Sequence, residues 1–307
     1  MDPSNILLHT RTLTAIASIT FGIVGSFVVA RRIGYLAGAI AHSAFGGVGF
    51  GLWFKQELAR GAFGALALAT AFSSGKEGGL EFCGKIAEQI QPIPVALVFS
   101  ILAAALVDWI RRRAKEREET LIGAIWALGA ALGLLFLEKV DGYASATTYL
   151  FGDVLLVSKS EIRFAAVISV AILVAVLLNF KKLEAVCFDE EFAELRGINV
   201  QAQNRLLLVL TAATVVVFMR LVGMALIVTM LTLPAATACR FTKRLSSTII
   251  ATIAVCFFGS QLGVELSYHL NFSTGPTITL VVAAFYVIAL VASALTKRVA
   301  RGLATSK

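Results

Sequence analysis

Measured against a soluble protein, what this sequence most lacks is charge. Asp, Glu, Lys and Arg make up 15% of its 307 residues, against about a quarter in an ordinary soluble domain. A chain so poor in charge cannot cover itself with a hydrated surface, which excludes the soluble globular class. The apolar stretches contain almost no acidic residues, so the paired carboxylates that couple protons or sodium at membrane depth are missing. That speaks against a self-sufficient secondary transporter or channel. The four cysteines, Cys83, Cys187, Cys239 and Cys256, are scattered without a CxxC pair. They give neither a disulfide framework nor a cysteine metal site, and only Cys83 is expected to face the outside. No GxxxxGK[ST] and no HExxH occurs, which excludes nucleotide hydrolysis through a P-loop and a zincin site. No cluster of catalytic residue types falls at membrane depth, so an integral-membrane enzyme is not indicated.

What fills the chain instead is apolar: 58% of its residues. They gather in runs at about 13–30, 36–54, 93–110, 120–137, 163–180, 204–219, 222–238, 246–264 and 276–296. Most are long enough to cross about 30 Å of hydrocarbon as helices. The alternation of an outer-membrane barrel is absent. The expected fold is all-α: a polytopic membrane helix bundle of about 8–9 transmembrane helices, in one domain over 1–307, with a short cytoplasmic helix at 188–198. The first run lacks a small-residue cleavage site and reads as a span rather than a signal peptide.

The net charge of +8 points to cytoplasmic loops rather than to nucleic acid. Basic residues cluster at the ends of apolar runs: Arg31 and Arg32, Arg111 to Arg113, Lys181 and Lys182, Arg240 with Lys243 and Arg244, and Lys297 with Arg298. The positive-inside rule puts all of these in the cytoplasm. About nine crossings follow, with the N-terminus outside and the C-terminus inside. Parity then places 55–91 outside as an insertion carrying a short apolar helix. The segment YLFGDVLLVS (149–158) becomes a re-entrant or interfacial piece on the outer side, tolerated only where protein or a water-filled cavity surrounds it.

Few residues can carry chemistry. His42 lies in the middle of GYLAGAIAHSAFGGVGFG, and an ionisable side chain at that depth suggests function by default. Imidazole suits transition metals; it can equally bond a carbonyl and help helices pack. Gly34, Gly38, Gly47 and Gly51 form small-xxx-small spacings around it, a packing signature that also leaves space beside the ring. Asp153 in YLFGD either caps a half-helix or lines an outer vestibule. His269 lies in the expected outer loop ELSYHLNFSTGP, where Glu265 would share its face on a helical turn. His9 is incidental to this reading. Arg220 is expected to snorkel at the outer boundary, and Pro234 to kink or break its helix. In FDEEFAELRGINV, Phe188, Phe192 and Leu195 have helical spacing opposite Glu190, Glu191 and Glu194, and Gly197 supplies a stop. The helix lies on lipid or docks a soluble partner; its acidic face favours docking, because the inner leaflet is itself anionic.

Together these segments resemble one family, the bacterial zinc/manganese-type ABC-transporter permeases. GSFVVARRIGYLAGAIAHSAFGGVGFG (25–51) is similar to that family's first two spans and YLFGDVLLVS to its mid-chain motif. DEEFAELRGINV (189–200) is similar to the segment that docks on the ATPase, and LVGMALIVTMLTLPAATACRF (221–241) and STGPTITL (273–280) to its C-terminal signatures. The resemblance leaves out 55–91. It implies a multi-pass subunit of the bacterial cytoplasmic membrane that imports a divalent metal ion, zinc first and manganese or iron next. No tightly bound cofactor is implied. The implied partners are cytoplasmic ABC ATPase subunits, an extracytoplasmic metal-binding protein, a second permease copy and membrane lipid. On the same ground Glu190, Glu191, Phe192, Glu194 and Gly197 are assigned to ATPase coupling and His42 to the metal. Many members carry an aspartate four residues before this histidine; here Gly38 stands there. Asp153 and Glu265 are candidate replacements on the outer side, and Glu265 with His269 is a candidate metal-entry pair. A permease for metal chelates is the sibling alternative.

Overall fold

A computed structural model describes residues 3–60, 92–113, 118–140, 146–152 and 157–305. Asp153, Cys83 and the expected insertion beyond Arg60 lie outside the described residues. Among the described residues every element is helical. They are α1 (Pro3–Ala30), α2 (Gly34–Ala59), α3 (Pro92–Arg113), α4 (Glu118–Glu138), α5 (Ala146–Phe151), α6 (Lys159–Phe188), α7 (Glu190–Leu195), α8 (Val200–Val222), α9 (Met224–Ala238), α10 (Leu245–Leu270) and α11 (Thr274–Thr305). Seven have the length and apolarity to cross a membrane; Pro92–Val107 and Met224–Ala238 are shorter apolar helices. At 1.5 Å per residue α9 rises only about 22 Å, short of the roughly 30 Å of hydrocarbon.

Two compact units form, one of residues 1–37 with 148–307 and one of 38–147. In the first, α1 is the shaft against which α6, α8, α9 and α10 pack. Its contact with α10 is tied by small polar side chains, the usual adhesive where lipid offers no hydrophobic drive for helix association. Ser26 donates to Thr252 at 3.0 Å, Ser18 and Ser260 meet at 3.2 Å, and Gln261 donates to Thr14 at 3.1 Å. Arg11 pairs with Glu265 at the far end. As numbers rise along α1 they fall along α10, so the two helices run antiparallel, as the charge-derived topology requires.

Arg32, Gly197 and Asn271 close their helices in the left-handed conformation. Arg32 (φ 57) closes α1, with Ile33 N–H reaching Val28 O at 3.0 Å and Arg32 N–H reaching Val29 O at 3.0 Å; this is a Schellman stop with arginine where glycine is usual. Gly197 (φ 75) ends α7 in the same way, and Asn271 (φ 54) ends α10. The α10 stop corrects the expected outer loop: helix continues through His269 to Leu270. At the other end of a span, Ser158 caps α6 in a reciprocal box with Glu161.

Pro234 does not break its helix. It lies inside α9, and the carbonyl its missing N–H would have bonded, Met230 O, faces the Cys256 thiol at 3.9 Å. The break comes at Gly223 instead, with φ 85 and ψ 151, a backbone state essentially reserved for glycine. Arg220 does more than snorkel, for its guanidinium lies 3.7 Å from the Glu161 carboxylate.

In the second unit α2 is gripped on two faces through glycines. A Cβ on Gly47 would lie 2.7 Å from Ala96 Cα of α3, and one on Gly49 would lie 2.6 Å from Gly133 O of α4. Gly51 likewise faces Val95 and Pro92. In the first unit Gly34 faces Thr232.

Candidate functional site

His42 is half-buried in the second unit. Its Nδ1 lies 2.9 Å from Gly38 O, one helical turn back. A carbonyl only accepts, so Nδ1 carries the proton, and a neutral ring leaves the Nε2 lone pair available. The Trp126 indole of α4 lies against the imidazole, with ring centroids 4.6 Å apart and planes 36° apart. The same indole fills the ground beside Gly38, where an added Cβ would come 2.5 Å from its Cζ3. Position 38 therefore cannot hold a carboxylate while Trp126 keeps this place. The ring is both packed and presented: one nitrogen is satisfied by backbone, the other carries no hydrogen bond among the described residues.

In the first unit, three glycines from three separate segments meet. Gly152 (φ 72) follows α5, Gly223 joins α8 to α9, and Gly275 lies in the first turn of α11. A Cβ on Gly275 would stand 2.3 Å from Phe151 O. Beside this meeting point is a cavity of about 240 Å³ lined by Phe151, Leu226, Pro276 and Thr279 among others. Tyr149, in the same short helix α5, has its phenol pushed up by burial, with the Arg220 charge pulling the other way.

Glu265 and His269 are brought together on α10, with His269 Nε2 3.2 Å from the carboxylate. The pair is exposed, and Arg11 also engages Glu265. No group of three or more His, Cys, Asp or Glu side chains that could hold a metal converges among the described residues. Asp153 is outside them.

In the segment expected to be cytoplasmic, Asp189 caps α7 by accepting from Phe192 N–H at 3.0 Å. Ala193 is buried against Val186 and Val200. Phe188, Phe192 and Leu195 remain exposed at 69%, 47% and 87%, and so do Glu190, Glu191 and Glu194. Glu190, assigned by resemblance to ATPase coupling, is paired with Arg31. Arg31 was visible in the sequence only as a topology marker, because its partners lie more than a hundred positions away along the chain.

These segments are also those by which the chain is related to known proteins. Residues 4–75 and 83–293 match the ABC 3 transport family. The chain belongs to that family. An ABC 3 chain of this kind is the multi-pass transmembrane permease of an ABC transporter and not its catalytic subunit. It is 32% identical over 275 residues to the "Probable metal transport system membrane protein" of Chlamydia muridarum, covering 89% of this chain and 84% of that one. It is 28% identical over 282 residues to the manganese import system permease protein ScaB of Streptococcus parasanguinis, covering 92% and 89%. Among solved structures, PsaBC from Streptococcus pneumoniae in complex with Fab superposes with a TM-score of 0.74 at 27% identity, over 92% of this chain and 90% of that one. The helical bundle expected from the apolar runs is thus the ABC 3 permease bundle.

Proposed function

We propose that this ABC 3 permease forms the membrane path of an ATP-driven importer of a divalent transition-metal ion in a bacterial cytoplasmic membrane. The observation that carries the metal reading is His42, a mid-span imidazole whose Nδ1 bonds Gly38 O, so that the neutral ring keeps the Nε2 lone pair for a ligand. A metal-ligating histidine is normally fixed in this way, its other ring nitrogen donating to a carbonyl or carboxylate. The named functions of the Chlamydia and Streptococcus relatives support the same cargo class.

Within that class zinc is placed first, with manganese and iron next. Imidazole suits zinc, whereas manganese favours carboxylate, carbonyl and water, and Trp126 keeps a carboxylate away from position 38. The manganese named for the ScaB relative is the competing cargo. In this reading a cytoplasmic ATPase docks on α7, where Phe192 and Leu195 are exposed apolar residues and Glu191 and Glu194 exposed acidic ones. An extracytoplasmic metal-binding protein delivers the ion, and a second permease copy completes the path.

The test is metal uptake into proteoliposomes holding the chain with its ATPase. We expect His42→Ala to abolish zinc uptake while ATP hydrolysis persists. Normal transport of zinc, manganese and iron by His42→Ala would sink the ligand role. Uptake by this chain alone without ATP would sink the ATP-driven reading.

A further inference from the structure

Arg31 is a buried cation that none of the transport chemistry above uses. Its side chain is 11% exposed. The guanidinium donates to Val186 O at 2.7 Å, to Asn204 Oδ1 at 2.9 Å and to the Glu190 carboxylate. One side chain therefore touches the last turn of α6, the first residue of α7 and the second turn of α8. Its own backbone N–H bonds Phe27 O at 2.9 Å at the very end of α1. A guanidinium matches this task because its planar fork offers several donors in fixed directions, which an ammonium does not.

The rest of the grip on α7 is slight. Six residues do not make a helix that stands by itself. Among the described residues, its buried contribution is Ala193, in a small cluster with Val186 and Val200. Phe192 and Leu195 face outward and hold nothing in this chain's core. A direct polar link from α7 to the end of α1 passes through Arg31.

We propose that Arg31 is a positioning residue that passes displacement of α7 to α1 and to the start of α8, and so couples the ATPase to the spans. The inference rests on the docking of the ATPase at α7. A load on α7 reaches Arg31 through Glu190, and Arg31 is rooted in α1, the shaft on which α6, α8, α9 and α10 pack. The Asn204 bond carries the same load into α8. Three acceptors on three elements make the linkage stiff; removing the fork takes away the bonds to α6, α7 and α8 together.

The experiment uses the full chain in complex with its ATPase, reconstituted in proteoliposomes, with zinc(II) and manganese(II) as cargo. Metal transported per ATP hydrolysed is measured for the wild type, Arg31→Lys, Arg31→Gln and Asn204→Leu, together with ATPase co-purification and unfolding temperature. We expect the variants to assemble normally and the metal-to-ATP ratio to fall about tenfold in Arg31→Gln, the size of a typical coupling between sites. Arg31→Lys should fall between Arg31→Gln and the wild type, because it keeps charge without the fork. A wild-type ratio in an assembled Arg31→Gln complex overturns the proposal. Loss of assembly in Arg31→Lys and Arg31→Gln alike overturns it too, because Arg31 would then build the docking surface rather than transmit through it. The docking reading fails separately, through undiminished ATPase association of the double variant Phe192→Glu with Leu195→Glu.

Discussion

Gly223 lies against Gly152 backbone to backbone. A Cβ built on Gly223 falls 2.3 Å from the Gly152 nitrogen, and one built on Gly152 falls 2.3 Å from the Val222 carbonyl carbon. Neither side has a flexible atom that could yield. Gly223→Ala should therefore add backbone strain of about 1–3 kcal/mol to an overpacking cost of similar size. Gly197→Ala makes the control: Gly197 has φ 75, but nothing stands within 4 Å of an added Cβ. It should cost only the left-handed penalty of about 1–2 kcal/mol. Thermal unfolding of both variants in detergent checks the order; equal losses would mean that the close contact carries no energy.

The second prediction concerns Gly38 and Trp126. Gly38→Asp alone should be destabilising by about 1–3 kcal/mol, because the indole must leave its place. Trp126→Ala alone opens a hole beside His42. The double variant should be less damaged than the two single losses added together, a coupling measurable as a double-mutant cycle in unfolding free energy. In uptake, the double variant should shift preference from zinc toward manganese, since it sets an oxygen donor one helical turn from the imidazole. Simple additivity would show that Trp126 is not what bars position 38.

Arg32→Gly gives a prediction of opposite sign. Arg32 is exposed and sits at φ 57. Glycine removes the Cβ penalty there, so the variant should be more stable by about 1 kcal/mol. Membrane orientation should not change, since Arg31 and the other basic loops remain. An inverted or mixed topology by cysteine labelling would show that Arg32 itself anchors this loop.

At the end of α10 expected to face outside, Glu265 is engaged by Arg11 and His269. His269→Ala and Glu265→Gln should leave metal uptake at wild-type rate and affinity. A raised KM for metal in both would assign the pair to ion entry.

Much of the bundle was legible because the membrane imposes a single rule. Apolar runs bounded by arginine and lysine must be helices, and all nine expected runs lie on helices. The Gly197 stop and the amphipathic α7 were legible for local reasons, glycine conformation and helical spacing. What was not legible depends on contacts distant in sequence. Pro234 reads as a kink or a break, yet the helix continues through it, and a thiol from another helix, Cys256, faces the carbonyl it leaves unbonded. The segment after residue 264 reads as loop because it turns polar, yet Ser267 is buried and bonds Phe272 O and Thr274. Ser158 could have been found: S-K-S-E is a capping box in plain letters. Trp126 could not, since nothing in α4 marks which residue will lie on His42. The same holds for Arg31, one of two adjacent arginines that the sequence does not distinguish.

The meeting of Gly152, Gly223 and Gly275 also sets an order of events during synthesis. Segments leave the ribosome in sequence, and domains form from the N-terminal side first. The short helix α5 emerges early, but the backbone it rests against arrives with Gly223, and the cover over Phe151 arrives only with Gly275. Until then, the carbonyl of Phe151 and the turn at Gly152 wait without their neighbours. A nascent chain arrested after α9 should leave residues 146–152 open to protease, and the same segment should become resistant once α11 has been made.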